Sequence, residues 1–236
     1  MEKGYKKVVF FFAIILMIAL PGFYKSYFAL FPEFAGLKNI HHFHATVLLA
    51  YLIMLVVQPI LISRKKIAAH RFIGKVSYLL VPLIFVSLVL VYHNQYLRMV
   101  LDGKPESDTL AFVFAPTTDA IPFLIFYLIA VFNTKQTPIH MRFIIASAIV
   151  AAGPGFGRIF IYWFGVDVFA AIQIVTLVSL LTFVALIFYD KRKKLSFRIN
   201  PYTIAFIIWL IPNILIIFFP NTTIWQGIAK WLVTTF

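Results

Sequence analysis

Apolar runs near twenty residues long recur from end to end of this chain, separated by short basic stretches, and few folds accept that pattern. One α-helical crossing of a bilayer takes about 20 residues. A transmembrane barrel would instead show short segments of alternating polarity, and the runs here do not alternate. Composition agrees: 62% hydrophobic, 12% charged, mean hydropathy +0.95 over 236 residues. A soluble domain carries roughly 25% charged residues. The pattern predicts an all-α, polytopic membrane protein, a seven-transmembrane-helix bundle in one domain, residues 1–236.

The expected spans cover about 7–28, 42–63, 72–96, 109–133, 140–164, 167–190 and 202–219. The tail, 221–236, is too short to cross. With Trp225, Lys230 and Trp231 it suits a helix lying at the interface. Lys3, Lys6 and Lys7 before VVFFFAIILMIAL look like a signal peptide. No small-x-small cleavage site follows, and the run ends in Pro21-Gly22, so it reads as a retained first span.

The net charge of +13 could suggest a nucleic-acid partner, but its location argues otherwise. Most Lys and Arg fall between apolar runs, where they set topology and meet anionic headgroups. With the N-terminus in the cytoplasm, 15 of the 21 basic residues collect on the inner side. These are Lys3, Lys6, Lys7, Arg64, Lys65, Lys66, Arg71, Lys75, Lys135, Arg142, Lys191, Arg192, Lys193, Lys194 and Arg198. The positive-inside rule then predicts an N-in, C-out protein of the bacterial cytoplasmic (inner) membrane. Its partner is the lipid bilayer, with membrane partner subunits as further candidates and no nucleic acid. The chain has no cysteine, which excludes disulfides, iron–sulfur clusters and thiolate metal sites.

Histidine is scarce, and three of the six stand within four positions at the mouth of the second span, HHFHATVLLAY. His41, His42, His44 and His93 fall at the outer face on this topology, His70 and His140 at the inner. Two charges lie inside spans. Asp119, between Pro116 and Pro122, sits about ten residues into the fourth span, roughly 15 Å of helix. Arg158 follows Gly153, Pro154, Gly155 and Gly157, which imply a thin or broken helix that others approach closely. Ionisable residues at such depth face a partner or a wet cavity, so Arg158 is the expected electrostatic partner of Asp119.

His44, His93 and Asp119, with His41 as a further candidate, therefore make the expected metal or haem site near the outer face. Imidazole and carboxylate without thiolate suit zinc, iron, copper or manganese. Two or three His plus one Asp would leave a position for water and permit hydrolysis. Haem b is the other cofactor candidate, through His44 with His93 or His70 with His140. Two haems on one pair of helices are disfavoured, because His70 and His93 are 23 residues apart, about 35 Å. Gln58, His70, Arg71, His140 and Arg142 form an expected inner polar cluster.

These polar positions also carry a resemblance. His44 opening a span with Gln58 later in it, then HRxxGK (His70, Arg71, Gly74, Lys75), a mid-span Asp119, P-x-H-x-R (Pro138, His140, Arg142) and GP-x-x-x-R (Gly153, Pro154, Arg158) follow in order. The series resembles a bacterial family of membrane proteins catalogued as domain of unknown function 2306. The family pattern carries Leu-Met after the second Arg, where this chain has Phe143-Ile144. The resemblance implies a fold and a set of polar positions, and no activity. The late His-x-x-x-His pair of zinc-dependent seven-span hydrolases is missing, and the seventh span has no lysine for a retinal Schiff base.

The expectation is an intramembrane His/Asp metal or haem site near the outer face, with a redox link as one use of it. One alternative is a small-molecule or ion carrier with Asp119 and Arg158 lining the path. Another is a non-catalytic accessory or assembly subunit. Catalysis is not the favoured reading.

Overall fold

The structure, a computed structural model, describes residues 5–193 and 199–235. Lys3, Lys194 and Arg198, counted above at the basic end, and Phe236 of the tail lie outside the described residues. The rest is nine α-helices and two short 3-10 turns, with no strand among the described residues. The helices are α1 (Tyr5–Tyr24), α2 (Asn39–Ser63), α3 (Ile67–Leu101), α4 (Glu106–Phe112), α5 (Thr117–Phe132), α6 (Thr137–Phe164), α7 (Val168–Arg192), α8 (Pro201–Leu215) and α9 (Thr223–Thr235).

Among the described residues, six stretches are long and apolar enough to cross a membrane: α1, α2, α3, α4 with α5, α6 and α7. The expected seventh span is α8, which has 15 residues. That is about 22 Å of helix, short of a hydrocarbon core of about 30 Å. Pro212 lies in its last turn, and a 3-10 turn at Phe219–Asn221 follows. Large apolar side chains such as Phe10, Met17, Leu79 and Phe132 point outward. The buried side instead holds Ser77, Ser87, Asn94, Ser147, Arg142 and Asp190 among its apolar core. An apolar exterior over a partly polar interior is the surface of an integral membrane protein.

The central helix is α6, which packs against α1, α5, α7 and α8. Its small residues explain how four neighbours fit. Ala146, Ser147 and Ala148 are fully buried. Gly155 lies against Ala19 and Phe23 of α1, and a Cβ on Gly22 would collide with the Gly155 carbonyl. Small residues let helices approach closely where lipid supplies no hydrophobic drive. The helix is thin there but unbroken, continuing through Pro154 to Gly165, whose φ of 66° ends it in the left-handed region. Asp167 then starts α7 as a capping acceptor for the Phe169 and Ala170 amides. Asn200 does the same for α8 through the Tyr202 amide, with Pro201 next.

The fourth span is not one helix. α4 ends at Phe112 and α5 begins at Thr117 after a tight turn, with Pro116 at the junction. α4 is held by the tail: Trp225 of α9 donates to the Leu110 carbonyl at 3.0 Å, and its ring meets Phe114 edge-on. Lys230 and Glu106 add an exposed ion pair at 2.9 Å. The expected interfacial tail is thus a helix, docked on α4.

Candidate functional site: a polar cavity at the basic end

α2 ends and α3 begins in a hairpin of basic residues, Arg64, Lys65 and Lys66. Lys65 takes a φ of 58° there, so the first turn of α3 folds back beside the last turns of α2. This brings Gln58 against His70: Gln58 Nε2 donates to the His70 carbonyl at 3.3 Å. The Oε1 of Gln58 and the Nδ1 of His70 are both buried and without a hydrogen-bond partner. An orphaned buried polar atom costs about 1–3 kcal/mol, so this junction of α2 and α3 is held at some cost.

Across from this pair, α6 starts with Thr137-Pro138-Ile139-His140. His140 Nδ1 donates to the Ala130 carbonyl at 2.8 Å. That carbonyl belongs to the last turn of α5, where it also accepts the Asn133 amide at 3.2 Å. The bond places the ring proton on Nδ1 and leaves the Nε2 lone pair free.

Between these walls lies a cavity of about 850 Å³, bounded by α1, α2, α3, α5 and α6. Gln58, His70 and His140 line it. Arg71, Lys75 and Lys135 line it too and are exposed at its mouth, and no Asp or Glu among the described residues does. Its deep end is closed by two hydroxyl pairs, Tyr51 with Ser147 at 3.0 Å and Ser77 with Tyr127 at 2.8 Å. Beyond them Tyr51 meets Phe123 edge-on, and Phe123 stacks on Phe85. The floor is an aromatic layer across the middle of the bundle.

Of the expected inner cluster, Gln58, His70, Arg71 and His140 line this cavity. Arg142 does not. Its guanidinium turns to the other side of α6, where Nε reaches Asp190 Oδ2 at 2.6 Å and Nη2 reaches Oδ1 at 2.8 Å. The pair is 2% and 1% exposed. Nη1 donates to the Pro138 carbonyl, and Asn200 Nδ2 donates to Asp190 Oδ2 at 3.3 Å. Two buried charges hold each other because neither could stand alone in an apolar interior. Asp190 was not foreseen. It precedes Lys191, Arg192 and Lys193 and reads in sequence as one more loop charge; its being the one acid in a basic run was the available signal.

The expected outer metal site is not assembled. Among the described residues, no group of three or more His, Asp or Glu stands close enough to hold a metal ion. His44 Nδ1 instead meets Ser87 Oγ at 2.8 Å. Ser87 spends its own proton on the Ile84 carbonyl, so the imidazole is the donor. His93 lies beside the Tyr96 ring, on another face of α3. His41 Nδ1 accepts the Lys38 amide at 2.8 Å and so finishes the start of α2. His42 Nδ1 meets the Tyr27 hydroxyl at 2.8 Å. Burial raises the Tyr27 phenol above its ordinary range, so the neutral hydroxyl makes that contact.

Asp119 and Arg158 form no ion pair. The Asp119 carboxylate faces α6 where Gly153 has no side chain; a Cβ there would touch Oδ2 at 3.6 Å. Arg158 lies over the Phe23 ring at 4.7 Å and donates weakly to the Pro154 carbonyl at 3.2 Å. It is close enough to His44 and Tyr92 to act on them electrostatically, as Asp119 is to Tyr92. Arg158 is therefore a neighbour of His44 and not the partner of Asp119.

Comparison with protein-family models, with curated proteins and with solved structures found no match to this chain.

Proposed function

We propose that this protein is an integral membrane protein that binds an anionic amphiphile in the cavity at its basic end. One observation carries the reading. A cavity of about 850 Å³ with mostly apolar walls is lined by Gln58, His70 and His140 and by three exposed cations, with no carboxylate among its described residues. Ligand pockets span about 300–1,000 Å³ and combine apolar walls with a few convergent polar groups. An apolar body would fill the walls, and an acidic head would meet Arg71, Lys75 and Lys135. In this reading the basic end faces the cytoplasm across a bacterial inner membrane, a reading supported by the positive-inside rule. The ordered polar series from His44 to Arg158 fits the family catalogued as domain of unknown function 2306.

A fluorescent fatty acid titrated into the detergent-solubilised protein tests this. Binding should saturate at one site and weaken about tenfold or more, roughly 1.4 kcal/mol, when Arg71, Lys75 and Lys135 are changed together to Gln. Binding that never saturates, or that ignores the three changes, would count against it.

A second reading, a carrier, has its own support. The fourth span breaks at residues 113–116, and Asp119 lies in the first turn after the break. Discontinuous helices mark the sites of many secondary transporters. In that reading, cysteines placed at Thr117 or Thr118 react with a water-soluble thiol reagent from one side. Inertness from both sides would sink it.

A further inference from the structure

We propose that the amphiphile is haem b, with His70 and His140 as its two axial ligands; this rests on reading the cavity as a ligand site. The two imidazoles come from different helices at one depth. Each is the fourth residue of its helix, α3 and α6, and both helices start at the basic end. Both residues line the same cavity. A fatty acid head needs cations and no imidazole pair. A planar iron macrocycle needs two neutral imidazole nitrogens facing each other across an apolar slot.

His140 has the arrangement a ligating histidine shows. Its Nδ1 proton is bonded to a backbone carbonyl, which fixes the tautomer and turns the Nε2 lone pair outward. His70 lines the same cavity from α3, where its carbonyl accepts from Gln58. Gly74, one turn after His70 and on the same face, lines the cavity without a side chain. The macrocycle's two propionates would meet Arg71, Lys75 and Lys135, which otherwise ring an apolar cavity with unbalanced positive charge. The expected outer pair, His44 with His93, has none of this. His44 bonds Ser87, and His93 lies beside the Tyr96 ring.

The test is an absorption spectrum of the full chain, expressed with haem supply and purified in mild detergent, oxidised and then reduced with dithionite. The wild type should show a Soret band and the sharp visible bands of six-coordinate, low-spin haem, with haem per chain near one. His70→Ala should lose at least about ten-fold in haem occupancy, or turn five-coordinate with a shifted Soret band. His140→Ala should do the same. His70→Met, which keeps a ligand, should retain haem at a shifted reduction potential. His44→Ala should leave the spectrum unchanged. If His140→Ala does not fold, because His140 also bonds α5, the two His70 variants decide. A wild type that takes up no haem on reconstitution, or a six-coordinate spectrum that survives both His70→Ala and His140→Ala, would overturn the proposal. A colourless chain that still carries another amphiphile at one per chain sinks the haem assignment alone. A chain that binds neither sinks the cavity reading as well.

Discussion

Arg142 and Asp190 face each other in a two-pronged ion pair, 2.6 and 2.8 Å, at the buried junction of α6 and α7, with Asn200 ahead of α8 as a third member. The pair ties three helices at the basic end beside the cavity wall. Removing one partner leaves an uncompensated charge in an apolar place, which costs about 3–5 kcal/mol. Asp190→Ala should therefore lose most of its folded fraction on heating in detergent. Changing both residues to apolar ones of similar volume should cost less than Asp190→Ala alone. Thermal unfolding of the three forms checks the order.

Gly22 and Gly227 should respond in opposite directions to alanine. A Cβ at Gly22 would collide with the backbone of α6 at Gly155, while one at Gly227 meets nothing within 4 Å. Gly22→Ala must push α1 away from α6, an overpacking cost of about 1–3 kcal/mol. Gly227→Ala in α9 should be neutral or stabilise by about 0.5–1 kcal/mol, because helical glycine is entropically costly. Paired melting curves distinguish the two.

The Lys230–Glu106 pair makes α9 docking sensitive to high pH. The bond to Glu106 raises the Lys230 amine above its ordinary value of 10.5. A raised folded-state value means the contribution is complete below the ordinary lysine range and lost as pH rises through the folded one. The melting-temperature gap between wild type and Glu106→Gln should be small, given the exposure of both groups. It should begin to close as pH passes about 10.5 and vanish above the raised folded-state value. A gap that widens there would contradict the pairing.

His44 should prove structural. His44→Ala removes one donor to Ser87 and should cost about 0.5–1.5 kcal/mol, a typical single hydrogen bond. Zinc, iron and copper content should be the same in wild type, His44→Ala and His93→Ala when measured by elemental analysis. Loss of one metal equivalent in either variant would restore the outer site that the geometry leaves unassembled.

Much of this was legible in the amino-acid order. The spans follow from apolar length, and Gln58, His70 and His140 were placed at one end by counting residues between basic loops. What could not be read was rotation. His44 meets Ser87, and His93 lies six residues further along α3, about 120° around the helix from Ser87 at 100° per residue. One helix therefore cannot offer both positions to the same site. Arg142 is expected beside Gln58 and His70 but turns to the other side of α6, because its direction depends on Asp190, 48 residues later. The break before Asp119 was legible only as two prolines. The shortfall of α8 was hidden because the apolar run continues beyond Leu215 while the helix does not.

The most direct measurement is native mass spectrometry of the purified chain beside Gly74→Leu, a change that puts a side chain into the cavity wall without touching a charge. The account predicts one retained amphiphile per wild-type chain, lost from the variant while its melting temperature stays close to wild type. A wild-type chain released bare from every mild detergent, or a variant that keeps the same adduct, would contradict it.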